Sequence, residues 1–146
     1  MDALYQLRMF EPDRDYGLLK DWFEIHGSTP PPAMILPKLG AVCMKDGEDV
    51  AMLFLYMDNS TGVCRAEFPV TRPKLPLRDS RTALTHLFTY MRKVARDLGY
   101  PVMFVTTLPA IARFLEGMGF KTDMTNLVSM VGSTSTEEED DHGKRG

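Results

Sequence analysis

With 146 residues, 44% hydrophobic and 25% charged, the chain is long enough for one sizeable core and too short for two comfortable ones. No apolar run reaches ~18 residues, which excludes a transmembrane helix, and the stretch from Met1 to Arg8 lacks the basic-then-apolar layout of a secretion signal, so a cytoplasmic protein is expected. The formal charge of −3 lies wholly between Ser133 and Gly146, where five acids outnumber two bases, so the body is neutral and its acidity points to no partner.

In chain order, alternation of Tyr5, Leu7 and Met9 with polar residues predicts a strand over Tyr5 to Phe10. Glu11-Pro12-Asp13 breaks it and opens a helix carrying Leu18, Leu19, Trp22 and Phe23, with Gly27 as its stop. Ser28-Thr29-Pro30-Pro31-Pro32 reads as an extended connector, either a surface linker or a stiff cleft wall. Strands over Gly40 to Lys45 and Val50 to Met57 flank Asp46-Gly47, a hairpin signal, and the apolar run of the second predicts burial on both faces. Asn59-Ser60-Thr61-Gly62 turns the chain into a strand over Val63 to Thr71.

The clearest helix is expected from about Ser80 to Leu98, with an apolar stripe from Ala83 to Leu98, Asp79 or Ser80 as cap and Gly99 as stop. Val102 to Val105 reads as a short buried strand, and Pro109 opens a helix that carries Ile111, Phe114, Leu115 and Met118 before Gly119. A last strand is expected over Asn126 to Val131. Beyond Gly132 the Ser, Thr and acidic residues are expected to be disordered, leaving 1–132 as a single domain and 133–146 as an acidic tail. Cys43 and Cys64 read as free thiols, and three scattered histidines give no metal-ligand spacing, so no metal is expected.

A meander followed by a strand-helix-strand crossover makes an α/β fold with a mixed, mostly antiparallel sheet and helices on both faces. Arg113-Phe114-Leu115-Glu116-Gly117-Met118-Gly119-Phe120 resembles the late helix ending of the GNAT (Gcn5-related N-acetyltransferase) superfamily. Phe68-Pro69-Val70, followed by a loop and the long helix, resembles the strand that leads into that family's acyl-CoA loop. The Arg-Phe-Leu run also resembles GNAT-like proteins of tailed bacteriophages, internal virion proteins among them, which would place the protein within a virion.

The resemblance implies an acetyl-CoA- or other acyl-CoA-dependent N-acyltransferase acting on a small-molecule or protein amine. It implies a cofactor wedge between the strands at Val63–Thr71 and Val102–Thr106. It further implies backbone amides near Val70 and Thr71 for the acyl carbonyl, the segment through Arg72, Arg78, Asp79, Ser80, Arg81 and Thr82 for the phosphates, and Glu67 as the base. The pattern departs from the family at several points. The loop's glycine positions fall on Arg78 and Ser80, Pro73 and Pro76 remove two amide donors, and Leu115 occupies the usual tyrosine of the general acid. These departures also fit a GNAT-shaped binding or structural protein without turnover, of a phage particle for instance.

The residues leave other readings open. Glu67, on the same face as Arg65 and Pro69, also reads as a solvated cross-strand ion pair, while His26 at the end of the first helix reads as favouring the helix dipole, His86 as a flank residue, and Tyr56 and Tyr90 as core-edge residues. Arg72, Lys74, Arg78, Arg81, Arg92, Lys93 and Arg96 form a basic segment suited to a polyanion or to a solvated helix face. No nucleic-acid-reading motif accompanies it, so nucleic acid is not expected as a partner.

Overall fold

A computed structural model describes residues 2–135, so most of the acidic tail lies outside the described residues. The chain divides into two compact units, Met1–Ile111 and Ala112–Gly146, taken separately below.

The first unit runs β1 (Tyr5–Met9), α1 (Pro12–Ile25), a 3-10 turn (Ala33–Ile35), β2 (Gly40–Lys45), β3 (Glu48–Met57), β4 (Val63–Thr71), α2 (Leu77–Asp97) and β5 (Val102–Phe104). The sheet order is β1-β2-β3-β4-β5, antiparallel except for the parallel β4–β5 pair. The mixed, mostly antiparallel sheet is thus present. The expected β2–β3 hairpin closes through Asp46 and Gly47, both left-handed at φ 50° and 84°, the signature of a two-residue type I′ turn.

The strand period of two sorts the core into two layers. Val42, Met52, Phe54 and Val70 turn to α1, where they pack with Phe10, Leu19 and Trp22. Ala41, Cys43, Ala51, Leu53 and Leu55 are equally buried but turn to the other face, which α2 covers with Ala83, Leu84, Leu87, Phe88, Met91 and Ala95. The all-apolar run of β3 is explained: it is the central strand, covered on both sides. Both cysteines are free and buried, and burial raises both thiol pKa values, Cys43 to about 11.

Close packing has one sharp consequence. Gly40 pairs with Phe54 across β2 and β3, and a Cβ at Gly40 would lie 2.6 Å from the Phe54 ring and 3.1 Å from Phe10 Cβ. The two rings are locked edge to face at 4.8 Å. Gly40→Ala is therefore expected to destabilise the protein by about 1–3 kcal/mol, through overpacking, in urea denaturation.

Each helix stops as its glycine predicted. The N–H of Ser28, Tyr100 and Phe120 reaches back to the carbonyl of Phe23, Ala95 and Leu115, while Gly27, Gly99 and Gly119 adopt φ of 80°, 88° and 94°. This is the Schellman stop. In α3 (Pro109–Glu116), the Gly119-Phe120 ending that carries the family resemblance is thus also a general helix terminator.

Three expectations are corrected. The central helix begins at Leu77 rather than Ser80, because Pro76 takes the N-cap and the first helical bond is Ser80 N–H to Pro76 O at 2.9 Å. The strand after α2 ends at Phe104, one residue short of the expected end, and it is not buried as expected: it is the edge strand, with Val102 and Phe104 exposed. In the second unit, 126–131 forms no strand among the described residues, and Leu127, Val128, Met130 and Val131 are exposed. Apolar alternation specifies the faces of a strand, but ladder bonds need a neighbour, and this segment has none among the described residues.

Candidate functional site

β4 is the element around which the site is built. Its pairing with β5 covers only Val63↔Val102, Cys64↔Met103 and Arg65↔Phe104. Beyond that point β4 continues for six more residues, to Thr71, with no strand on that side among the described residues. The ladder between β4 and β5 therefore ends at Phe104, and the rest of β4 is an open edge among the described residues.

A bulge marks the opening. Met52 pairs with Val70 and Phe54 with Glu67, so Phe68 and Pro69 together face the single residue Leu53. Phe68 is left-handed at φ 58°, an outlier for a bulky side chain. Such strain costs on the order of 1–3 kcal/mol and persists where the surroundings hold it. Here Phe23 and Tyr56 pack against the Phe68 ring at 6.4 Å and 6.2 Å. Pro69 is the sequence signal for this feature, since a proline inside a strand belongs at an edge or a bulge.

Alternation assigns the backbone groups past the bulge. Arg72 N–H donates to Val50 O at 2.8 Å, so Arg72 and Val70 face β3 while the Thr71 amide and carbonyl face the open edge. Of the two residues expected to hold an acyl carbonyl, Thr71 presents its N–H to the open edge, and Val70 contributes a buried side chain to the core. The Thr71 carbonyl is met by His26 Nε2 at 2.7 Å. A carbonyl only accepts, so the imidazole donates from Nε2. Sequence reasoning gave His26 to the helix dipole alone; the Gly27 stop was the one hint that it sits at the end of α1.

Glu67 projects from β4 toward the α1 face, beside Phe54, Tyr56 and Phe68. Burial raises its pKa, and Arg65 lowers it only in part. The ion pair considered for it does not form: Arg65 instead lies over the Tyr56 ring at 5.5 Å, and Glu67 has no hydrogen bond or salt bridge among the described residues. The Tyr56 pKa is raised, first by burial and then by Glu67, and its hydroxyl donates to Ile35 O at 2.6 Å. Tyr16 donates to Pro31 O at 2.8 Å. The proline-rich connector is thus tied beside the aromatic cluster.

After Thr71 the chain turns at once into α2. Leu75 N–H closes a turn on Arg72 O at 3.2 Å, with Pro73 second and Lys74 third and left-handed at φ 65°. This is the pattern of a type II turn, with lysine where glycine is usual. The free helical amides are those of Leu77, Arg78 and Asp79, because the Ser80 amide is already bonded. Arg78 and Arg81 have no ion pair among the described residues, whereas Arg72 meets Glu48 at 3.0 Å. The Thr82 hydroxyl donates to Arg78 O at 3.0 Å.

Asp79 does not cap the helix. Its carboxylate accepts from Lys45 Nζ at 3.0 Å and from the Tyr5 hydroxyl at 3.2 Å, and the lysine holds its pKa below the usual carboxylate range. His86 stacks on Tyr5 at 5.4 Å, so it serves packing. In the second unit, Leu115 is 3% exposed and has no proton to donate. Among the described residues no cluster of three or more His, Cys, Asp or Glu gathers to hold a metal, and no helix is long and apolar enough to cross a membrane.

No protein-family model and no curated protein matches the sequence. Solved structures match its fold. An acetyltransferase from Trypanosoma brucei shares 16% identity at a TM-score of 0.62, over 87% of this chain and 99% of that one. Glucosamine-6-phosphate N-acetyltransferase from Arabidopsis thaliana shares 9% identity at a TM-score of 0.59, over 90% and 99%. An aminoglycoside N-acetyltransferase in complex with CoA shares 16% identity at a TM-score of 0.61, over 92% and 98%. The fold of this chain is the GNAT fold.

Proposed function

We propose that the protein is an acyl-CoA-dependent N-acyltransferase, with acetyl-CoA as donor and a primary amine as acceptor. The observation that carries this reading is the open edge of β4, which leads straight into the free N-terminus of α2. A helix N-terminus whose three first amides, and whose Arg78 and Arg81, have no partner among the described residues suits a pyrophosphate. The residues fit the donor despite Pro73 and Pro76, because the amides of Leu77, Arg78 and Asp79 remain. Similarity in fold to enzymes whose names include glucosamine-6-phosphate and an aminoglycoside supports an amine acceptor.

In this reading the Thr71 N–H donates to the thioester carbonyl oxygen and stabilises the charge that develops there. The amine nitrogen attacks the carbonyl carbon, the C–N bond forms and the C–S bond breaks. Glu67 accepts the proton from the nitrogen, directly or through a water. The thiolate of coenzyme A leaves and takes a proton from solvent, since Leu115 cannot supply one. Positioning in the wedge provides much of the rate. His26 and the aromatic residues around Phe68 hold β4 in the shape that presents Thr71 and Glu67 on adjoining sides.

Calorimetry with acetyl-CoA tests the proposal. Micromolar binding is expected, weakened about tenfold by Arg78→Ala, the worth of one charge-assisted hydrogen bond. Ser80→Asp is expected to weaken it as well: an acid in the first turn suits the helix but repels a phosphate. Absence of binding at millimolar acetyl-CoA would overturn the enzyme reading. It would favour the second one, a GNAT-fold binding or structural protein, for which the buried Leu115 at the acid position already speaks.

A further inference from the structure

Strand alternation should send Glu67 and Phe68 to opposite faces of the sheet. The bulge prevents it. Glu67 pairs with Phe54 and so shares the α1 face, while Phe68, left-handed at φ 58°, packs against that same core layer and meets Phe23 of α1 at 6.4 Å. A carboxylate and a phenyl ring that are neighbours in sequence thus lie on one face. Re-aiming a side chain is a recurring use of a bulge. The positive φ is its cost, and strain retained at a bulky residue points to a function.

The chemistry of this face is unbalanced. Glu67 is half-buried and has no hydrogen bond or ion pair among the described residues, while Arg65 lies over the Tyr56 ring at 5.5 Å instead of meeting it. The carboxylate lacks a cation. The rings of Phe23, Tyr56 and Phe68 are half-buried rather than sealed in the core, and Phe104, on the face of its partner Arg65, is 46% exposed. The polar donors nearby are already spent. The Tyr56 hydroxyl donates to Ile35 O, the Tyr16 hydroxyl to Pro31 O and His26 Nε2 to Thr71 O. A ligand rich in hydroxyls would lose water here and gain few partners, which is costly.

We infer that the amine acceptor is an arylalkylamine, a primary amine carried on a flat apolar body, with its ammonium at Glu67 and its body against Phe68 and Tyr56. The ammonium supplies the missing cation, and aromatic faces beside it add cation–π attraction. The flat body covers ring surface that is otherwise left to water. The inference rests on the acyltransferase reading for the fate of the amine, but not for its binding.

Calorimetry of the full chain with 2-phenylethylamine and with glucosamine, each in the absence and presence of coenzyme A, tests it. Wild type is expected to bind 2-phenylethylamine at least about tenfold more tightly than glucosamine. Phe68→Gly allows the left-handed backbone without strain and removes the ring. It is expected to weaken 2-phenylethylamine about tenfold more than glucosamine, whereas a merely structural loss would weaken both alike. Phe68→Leu, which keeps apolar volume but no aromatic face, is expected to act in the same direction and serves if the glycine variant does not fold. Glu67→Gln is expected to weaken both amines. Should acetyl-CoA fail to bind while the preference between amines holds, the acyltransferase reading falls and the amine site stands. Equal affinities of wild type for the two amines, no binding of 2-phenylethylamine at ~10 mM with or without coenzyme A, or a preference that survives loss of the Phe68 ring would each overturn the inference.

Discussion

Glu67→Gln is expected to lower kcat/KM for acetyl transfer by about 10²–10⁴-fold, the usual contribution of a positioned base, with acetyl-CoA affinity unchanged. The glutamine keeps the size and the acceptor oxygen but cannot take a proton. In the wild type, burial raises the Glu67 pKa above the ordinary carboxylate value. Its rate should therefore climb with pH through that raised pKa, and the substitution should erase the limb. Stability should move the opposite way. A group with a raised folded pKa contributes stability that is present below its unfolded pKa and lost as pH rises through its folded pKa. At neutral pH the ionised Glu67 thus costs stability, and Glu67→Gln should raise Tm. A drop in activity together with a rise in Tm separates a base from a packing residue. A kcat/KM within threefold of wild type would show instead that the proton goes to solvent.

What the sequence revealed and what it hid divide along physical lines. The β2–β3 hairpin, the central strand and the three helix stops were legible because each rests on local chemistry: an Asp-Gly pair at positive φ, a β3 run too apolar for a single buried face, a glycine past each helix. The candidate site was legible only as positions along β4. Where Thr71 points depends on a bulge at Phe68-Pro69, and a bulge reverses the facing of every residue after it. The start of α2 was misplaced by three residues because Asp79 looks like a cap. Its carboxylate was taken by Lys45, 34 residues away in sequence, and no local rule reports that. The strand expected at 126–131 failed for a related reason, since partners are non-local.

Asp15→Ala is expected to cost about 3–5 kcal/mol of stability, the usual cost of removing one member of a buried ion pair. Nothing local marked this residue, although among the described residues Asp15 is the one charged side chain that is buried, at 2% exposure. Its two oxygens accept from Arg8 Nη1 and Nη2 at 2.8 Å each, and Oδ2 also accepts the Glu11 amide at 2.8 Å. Arg8 reaches on to Asp49 at 2.9 Å. One guanidinium thereby joins β1, the start of α1 and β3. Burial, the largest single influence, would raise the Asp15 pKa, but the Arg8 and Glu11 hydrogen bonds and the charges of Arg8 and Arg14 together outweigh it and hold the group below the usual carboxylate range. A depressed folded pKa means stability that is present above the unfolded value near ~3.9 and lost as pH falls through the folded one. The wild type should therefore lose stability in acid, and Asp15→Ala should flatten that slope. Replacing both charges, as Arg8→Met with Asp15→Leu, should cost far less than the single change, because no uncompensated charge is left behind. The effect should also reach the site: the pair fixes the start of α1, whose far end carries Phe23 against Phe68 and is capped by His26 on Thr71. Acetyl-CoA affinity should fall in Asp15→Ala even at temperatures where the protein stays folded, and recover in the double variant. An unchanged affinity would show that β4 keeps its shape without α1.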